Sequence, residues 1–472
     1  MEILLYNTLT RRLEPLVAGD GRRFRMYTCG LTVYDYGHIG NYRTFVAVDV
    51  LQRFLASQGF ALETVMNITD VDDKMIERAR TAGHSVAEHA AIYTQAFLED
   101  LGRLGIQPPT HLAKATDYVP QMVAWIERLV DSGHAYASDG SVYFRVASFP
   151  AYGRLSGKDL GGLQAGARVE SDQYEKEEAR DFVLWKAHKP GEPSWPSPWG
   201  PGRPGWHIEC SVMSMTLLGE SFDLHAGGTD LIFPHHENEI AQAEAVTGRP
   251  FVRGWMHVEF LLVNGEKMSK SLGNFFTLRD LLDQGYRASA VRYLLASVPY
   301  RRQLNFTLEG LQQAAAAVER LMSLRDRLRQ GGLAAGEDAE LAAKITAARA
   351  GYVAALADNL NTAEALAAIF ELVREANIAL DAGRLRAANA TACEELLHLF
   401  DQVFAVLTLA EREKMEASAG LDPATIEARL RERDEARRRR DFRRADAIRA
   451  ELDAAGIAIE DVKGGGSRWR RK

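Results

Sequence analysis

The stretch from Phe24 to Asp70 constrains the fold most. Phe24 to Cys29 (FRMYTC) reads as a short strand and runs into a loop carrying Gly30, Gly37 and Gly40. The residues TFVAVDVLQRFLASQG then place Phe45, Val48 and Leu55 at helical spacing, and Gly59 suits the left-handed stop of a helix. ALETVMNITD is a second strand pattern, and VDDKMIERARTAG a second helix. Strand, glycine loop, helix, strand predicts a βαβ unit and hence an α/β domain with a parallel sheet of the nucleotide-binding kind. Neither G-x-G-x-x-G nor the P-loop pattern occurs, which argues against dinucleotide enzymes and P-loop kinases.

Further along, residues 84–135 read as helical, with Val119 to Val130 the clearest amphipathic segment. Tyr136 to Val146 alternates as hairpin material around the turn Ser138-Asp139-Gly140. Residues 150–205 look irregular, and six of the 15 prolines fall between Pro190 and Pro204, marking a rigid surface connection. Residues 130–200 are therefore expected to be an insertion in the sheet domain, with strand and helix character resuming at Trp206. Phe251 to Val263 is strand-like and leads into NGEKMSKSLGN, after which LRDLLDQGYRASAVRYLLAS is helical. Four helical segments between Leu308 and Leu409 predict an α-bundle, with Asn361 and Thr362 ahead of Glu364 as an N-cap. Cys393 sits there among apolar neighbours and reads as packing. After Pro423 a small α+β unit is expected: helix 424–436, helix 441–455, Gly456 as a stop, and a strand pair ending at Trp469.

A chain of 472 residues exceeds one hydrophobic core. The expected division is 1–129 with 201–255 as the catalytic sheet domain, 130–200 as the insertion, 256–307 as a loop and stem-contact region, 308–420 as the bundle, and 421–472 as the terminal domain. The opening residues MEILLYNTLTRRLEPL lack a signal peptide's apolar core, and no apolar run would span a bilayer. Three cysteines make no disulfide framework, so a cytoplasmic location and no membrane partner are expected. Net charge is −7, but residues 424–472 carry 15 Lys and Arg against 10 Asp and Glu, a local net of +5. A basic tail on an acidic body is a candidate contact for an anionic polymer, although a solvated Arg-rich helix explains it equally well.

His207, Cys210, His225, His235, His236 and Glu239 crowd one short span, although the chain has only 12 His and 3 Cys. A helix beginning at Pro234 would put His235 and Glu239 on one face, four residues apart. Singly, a buried cysteine is usually a small hydrophobe, and a lone histidine usually a core or surface residue. Together, Cys210, His235 and Glu239 offer the S, N and O donors that tetrahedral Zn²⁺ accepts, and Cys29 is the candidate fourth ligand.

Two motifs carry phosphate chemistry. Gly37-His38-Ile39-Gly40-Asn41 lies between the first strand and first helix, where open sheets bind ligands and helix N-termini favour anions. Lys267-Met268-Ser269-Lys270-Ser271, bracketed by Gly265 and Gly273, forms a cationic loop able to close on a polyphosphate.

HIGN and KMSKS, in this order and separation, resemble the HIGH and KMSKS signatures of class I aminoacyl-tRNA synthetases. YTCGLTVYDYGHIGN, NITDVDDK, GWHIECS, FPHHENEIAQ and KMSKSLGN resemble cysteinyl-tRNA synthetases in particular, over nearly the whole chain. Asn41 in place of the last histidine is a departure that this family commonly shows. The resemblance implies a Rossmann-like catalytic domain with an insertion, then a helical bundle and a small anticodon-binding domain. It implies activation of cysteine by ATP with Mg²⁺, and transfer to the 3′ end of tRNA(Cys) by a monomer. It assigns Cys29, Cys210, His235 and Glu239 to one zinc, which would read the substrate thiol and so need no editing domain. Gly37, His38, Gly40, Asn41, Lys267 and Lys270 are assigned to ATP, with His38, Asn41 and the two lysines catalytic. Thr69, Trp206, His225 and Asp230 are assigned to the amino-acid pocket, and Arg437, Asp446 and Asp461 to the anticodon. Arg287, Arg292, Arg301 and Arg302 are candidates for facing the tRNA's inner limb. Two alternatives remain open: a cysteine-aminosugar ligase of the mycothiol type, which lacks the full tail, and a silent RNA-binding paralogue.

Overall fold

The computed structural model describes residues 2–19, 21, 23–158, 181–269, 272–419, 423–439, 441–461 and 467–471. Its centre is a five-stranded parallel sheet, in spatial order Val252–Val258, Phe222–Gly228, Phe24–Thr32, Leu62–Thr69 and His111–Lys114. From Phe24–Thr32 the chain builds outward through two strands, then returns to build on the other side. That reversal leaves a crevice at the carboxyl ends of Phe24–Thr32 and Phe222–Gly228, where open α/β sheets bind ligands.

Both faces of the sheet are covered, as parallel strands require. One face shares a continuous apolar core with helices Ile39–Ser57 and Ala288–Ser297 and with the bundle, from Ile3 to Ala410. The other packs on helices Val119–Asp131, Trp206–Leu218 and Glu237–Thr247 and on the insertion. A small separate core holds the terminal domain, through Ile426, Leu430, Ile448, Leu452 and Ile457.

Several expected boundaries move. The first helix begins at Ile39, ahead of TFVAV, because His38 and Asn41 cap it. The stretch 84–135 holds helices Val86–Arg103 and Val119–Asp131, but His111–Lys114 between them is the edge strand of the sheet. Four residues with Leu112 exposed give too short a pattern to betray a strand. Residues 150–205 are not irregular throughout. Phe182–Ala187 and Gly202–Pro204 join the hairpin Ala135–Ser138 and Ser141–Phe144 in a four-stranded antiparallel sheet. The hairpin turns on Asp139 and Gly140, both at positive φ, as a two-residue turn demands.

The bundle comprises Leu308–Arg329, Ala339–Ala357, Thr362–Asp381, Ala387–Phe404 and Val406–Ala419. Left-handed Ala405 breaks what the sequence presented as one run, and Asn361 caps its helix by accepting from the Glu364 N–H. Arg292 does not face outward. It is fully buried, donates to the Leu104 carbonyl (2.9 Å) and the Phe404 carbonyl, and pairs with Asp49 of the first helix. Arg287 pairs with Glu319 (2.8 Å), and the Arg301 guanidinium lies over the Tyr6 ring, while Arg302 is exposed. Arg43, also on the first helix and buried, donates to the carbonyls of Leu295, Val298 and Pro299. Buried charge-assisted bonds thus join the first helix to the bundle through Arg292, and to Ala288–Ser297 and the turn after it through Arg43.

Candidate metal and nucleotide site

The HIGN motif is a helix N-terminus held by its own side chains. His38 Nδ1 accepts from the Asn41 N–H (3.1 Å), and Asn41 Oδ1 accepts from the His38 N–H (3.0 Å). This reciprocal capping box satisfies two helix-end donors and gives Asn41 a structural role at the fourth position. An accepting Nδ1 places the neutral ring's proton on Nε2. Gly40 lets the ring and the loop come close, since a Cβ there would lie 3.0 Å from the His38 ring and 3.3 Å from the Met268 methyl.

The loop after Val263 docks on this motif. The Ile39 N–H donates to the Phe276 carbonyl (3.0 Å), and Phe275 meets the His38 ring edge to face at 5.4 Å. Asn274 ties the loop to itself, accepting from the Ser269 N–H (2.8 Å) and donating to the Lys267 carbonyl (3.2 Å). Lys267 is exposed on the short strand Glu266–Lys267 and within electrostatic reach of Asp230. Lys270 and Ser271 lie outside the described residues.

Beside this motif, Cys29, Cys210, His235 and Glu239 bring their donor atoms within 4.8 Å of one another, all buried. Cys29 comes from the central strand, Cys210 from the helix Trp206–Leu218. His235 comes from the turn ahead of the helix Glu237–Thr247, and Glu239 from that helix's first turn. The α-helix itself starts at Glu237 rather than Pro234, and Ile232–His236 ahead of it forms a separate turn kinked at Phe233 (φ −141°, ψ 128°). The pair still converges, with His235 Nε2 3.0 Å from Glu239 Oε1. The two sulfurs stand 3.8 Å apart. Two thiolates each about 2.3 Å from a tetrahedral Zn²⁺ are separated by about 3.8 Å. A second set, Cys29, His225, His236 and Glu239, shares two members. It discards a sulfur already at the tetrahedral spacing, and its histidines are better placed as supports. His225 Nε2 lies 2.8 Å from Glu239 Oε2, and His236 bridges Cys29 (3.4 Å) to His257 (2.8 Å). His257 continues to the Thr8 hydroxyl (2.8 Å), and His207 holds His235 Nδ1 (2.9 Å). Partners behind the ligands are what orient them.

The protonation pattern fits a donor set. Burial pushes the Cys29 thiol up, and Cys210 and Glu239 add to it. Burial opposes ionisation of Cys210 too, but the hydrogen bond from Cys29 and the His235 charge hold its thiol below the usual range. Glu239 falls to about 2 because His225 and His235 outweigh burial, and His235 rises to about 10 because Cys210 and Glu239 outweigh it. His207 and His236 are pushed well down and His257 down to about 3, each chiefly by burial.

Of the residues assigned to the amino-acid pocket, Trp206 lies against His235 (4.2 Å between rings, tilted by 31°) and His225 supports Glu239. Asp230 is exposed on the turn after Gly228, and Thr69 donates to Glu209 (2.7 Å). Arg437 and Asp446 are exposed on the two terminal helices, and Asp461 ends the strand Ile457–Asp461. The sequence reading passed over Asn67, Glu209 and His257, polar groups in strand or helix interiors with no local spacing to mark them.

The same architecture recurs in solved structures. Mycobacterium tuberculosis methionyl-tRNA synthetase in complex with methionyl-adenylate superposes with a TM-score of 0.58 at 17% identity, over 85% of this chain and 95% of that one. A putative arginyl-tRNA synthetase from Campylobacter jejuni gives 0.53 at 16% identity, over 82% and 92%. The fold, with the two signature motifs docked at its crevice, is that of a class I aminoacyl-tRNA synthetase. Residues 15–316 match the family described as tRNA synthetases class I (C) catalytic domain, 351–411 the DALR domain, and 421–470 the cysteinyl-tRNA ligase anticodon binding domain. Proteins named cysteine–tRNA ligase from Solibacter usitatus, Koribacter versatilis and Symbiobacterium thermophilum are 54%, 50% and 48% identical, each over all of both chains. This chain belongs to the cysteine–tRNA ligase family. Full-length likeness including the tail supports that reading and neither the aminosugar ligase nor the silent paralogue. No helix among the described residues is long and apolar enough to cross a membrane.

Proposed function

We propose that this chain joins cysteine to tRNA(Cys) in two steps at the crevice between its two motifs, and that Cys29, Cys210, His235 and Glu239 hold one Zn²⁺ there. The observation carrying the metal reading is the convergence of four buried donors with their sulfurs at a tetrahedral edge. Bound in that set, Zn²⁺ supplies a soft Lewis acid that favours a thiolate over the hard hydroxyl of serine. Trp206, His225, Asp230 and Thr69 orient the amino acid. The cysteine carboxylate attacks the α-phosphate of ATP, forming cysteinyl-adenylate and releasing pyrophosphate. The His38 Nε2–H, the start of the helix Ile39–Ser57, Lys267 and Lys270 stabilise the charge that develops, with Gly37, Gly40 and Asn41 shaping the cradle. Mg²⁺ accompanies ATP, liganded largely by its phosphates. The terminal ribose of the tRNA then takes the cysteinyl group. Arg437, Asp446 and Asp461 read the anticodon from the 421–472 domain, and the enzyme acts as a cytoplasmic monomer.

The test is ATP–pyrophosphate exchange with cysteine and with serine, run beside metal analysis, on the parent chain and on Cys210→Ser. The parent is expected to hold one zinc and strongly prefer cysteine. Cys210→Ser is expected to lose the metal and much of its cysteine affinity while still binding ATP. A metal-free parent that discriminates against serine would sink the assignment.

A further inference from the structure

The strand that delivers Cys29 is irregular at that residue. Thr28 pairs with Met66 and Leu31 with Ile68, so Cys29 and Gly30 together face the single residue Asn67. Such a bulge re-aims the side chain it carries. A Cβ on Gly30 would lie 1.7 Å from the Asn67 carbonyl oxygen, so the strands approach this closely only with glycine there.

The Asn67 side chain closes the bulge and continues across the sheet face. Its Oδ1 accepts from the Gly30 N–H (2.8 Å), and its Nδ2 donates to Thr69 Oγ1 (3.3 Å). The Thr69 hydroxyl donates in turn to Glu209 Oε2 (2.7 Å). Asn67, Thr69 and Glu209 are 3%, 1% and 1% exposed, so water cannot substitute for a broken link. One end of this chain abuts Cys29 and the other abuts Cys210.

We propose that Asn67 is a positioning residue for the metal centre. The relay Gly30–Asn67–Thr69–Glu209 sets the separation of the two sulfurs, and through it the affinity and geometry of the site. The proposal rests on the metal reading above and adds a residue to it. Asparagine is required because one end must accept and the other donate. Aspartate has the same shape and can accept from Gly30, but when ionised has no proton for Thr69. Leucine or alanine would provide neither bond.

The test uses the full-length chain loaded with Zn²⁺, with chelator competition for affinity and the thiolate absorption of the Co²⁺-substituted protein for geometry. Asn67→Asp and Thr69→Val are expected to weaken metal binding about 10–100-fold, the usual effect of losing a partner behind a ligand. Both are expected to shift the Co²⁺ spectrum, and Asn67→Asp to leave KM for ATP unchanged. Thr69→Ser keeps the hydroxyl and is expected to restore parental affinity and spectrum. Parental affinity and spectrum in both Asn67→Asp and Thr69→Val would overturn the proposal, as would Thr69→Ser as weak as Thr69→Val. Should Asn67→Asp fail to fold, the two Thr69 variants decide alone. A parent chain that takes up no zinc would overturn the metal reading itself, before any variant is compared.

Discussion

Gly40→Ala separates what the first helix needs for stability from what the motif needs for chemistry. Gly40 is the second residue of the helix Ile39–Ser57, where alanine is favoured over glycine by about 0.5–1 kcal/mol. The new methyl would meet the His38 ring at 3.0 Å and the Met268 methyl at 3.3 Å. Met268 is unbranched and can swing aside. The His38 ring is pinned between the Asn41 N–H and Phe275, so it yields the few tenths of an ångström required only by straining its cap. Straining the cap costs up to about 1 kcal/mol, which offsets the helix gain. The unfolding midpoint is therefore expected to stay nearly constant. Displacement of Nε2 by a few tenths of an ångström, in contrast, is expected to slow exchange several-fold, less than the about 10²-fold that a 1 Å misplacement costs. ATP–pyrophosphate exchange at varied ATP, with metal content and urea unfolding measured alongside, reads both. Gly102→Ala is the control, a helical glycine whose added Cβ would meet no other atom within 4 Å, expected to stabilise slightly and leave exchange untouched. Parental exchange in Gly40→Ala, or loss of stability and activity in parallel, would refute the reasoning.

Metal affinity should climb with pH. At neutral pH Cys29, pushed up, and His235, raised to about 10, each hold a proton that a metal must displace, while Cys210 and Glu239 are already ionised. About two protons are released per metal bound, measurable by calorimetry in buffers of different ionisation enthalpy, and pH-independent binding would contradict this. Arg292→Ala is expected to destabilise the chain by about 3 kcal/mol in urea unfolding, since it leaves two buried carbonyls unsatisfied, while Asp49 keeps Arg53 and the Gln107 N–H. Breaking the exposed Arg287–Glu319 pair should cost no more than about 1 kcal/mol. Truncation before residue 421 removes a domain with its own core, so exchange should persist while tRNA charging falls, most steeply as salt rises.

Legibility in the sequence followed the range of the interaction. Cys210, His235 and Glu239 announced themselves because they are close in sequence and chemically unusual together, and the structure brings their donors together with Cys29. His257 and Asn67 gave no signal, because each sits alone in a strand and meets its partners only after the sheet is assembled. Arg292 was misread for a sound reason. Arginine is almost never fully buried unless paired, and its partner Asp49 lies in another helix. The edge strand His111–Lys114 was too short to show its period, whereas capped, amphipathic helices such as Thr362–Asp381 were plain.

The central sheet also behaves as a partition between two interiors. The nucleotide motif and the bundle share the core on one side, and the sulfur and imidazole donors share the core on the other. The two converge at the rim where the strands end, so the proposed ATP and cysteine sites rest on separately built supports. Packing errors on the bundle side should therefore reach adenylate chemistry through the nucleotide, and errors on the insertion side through the amino acid, with the wall between them keeping each kind of damage local.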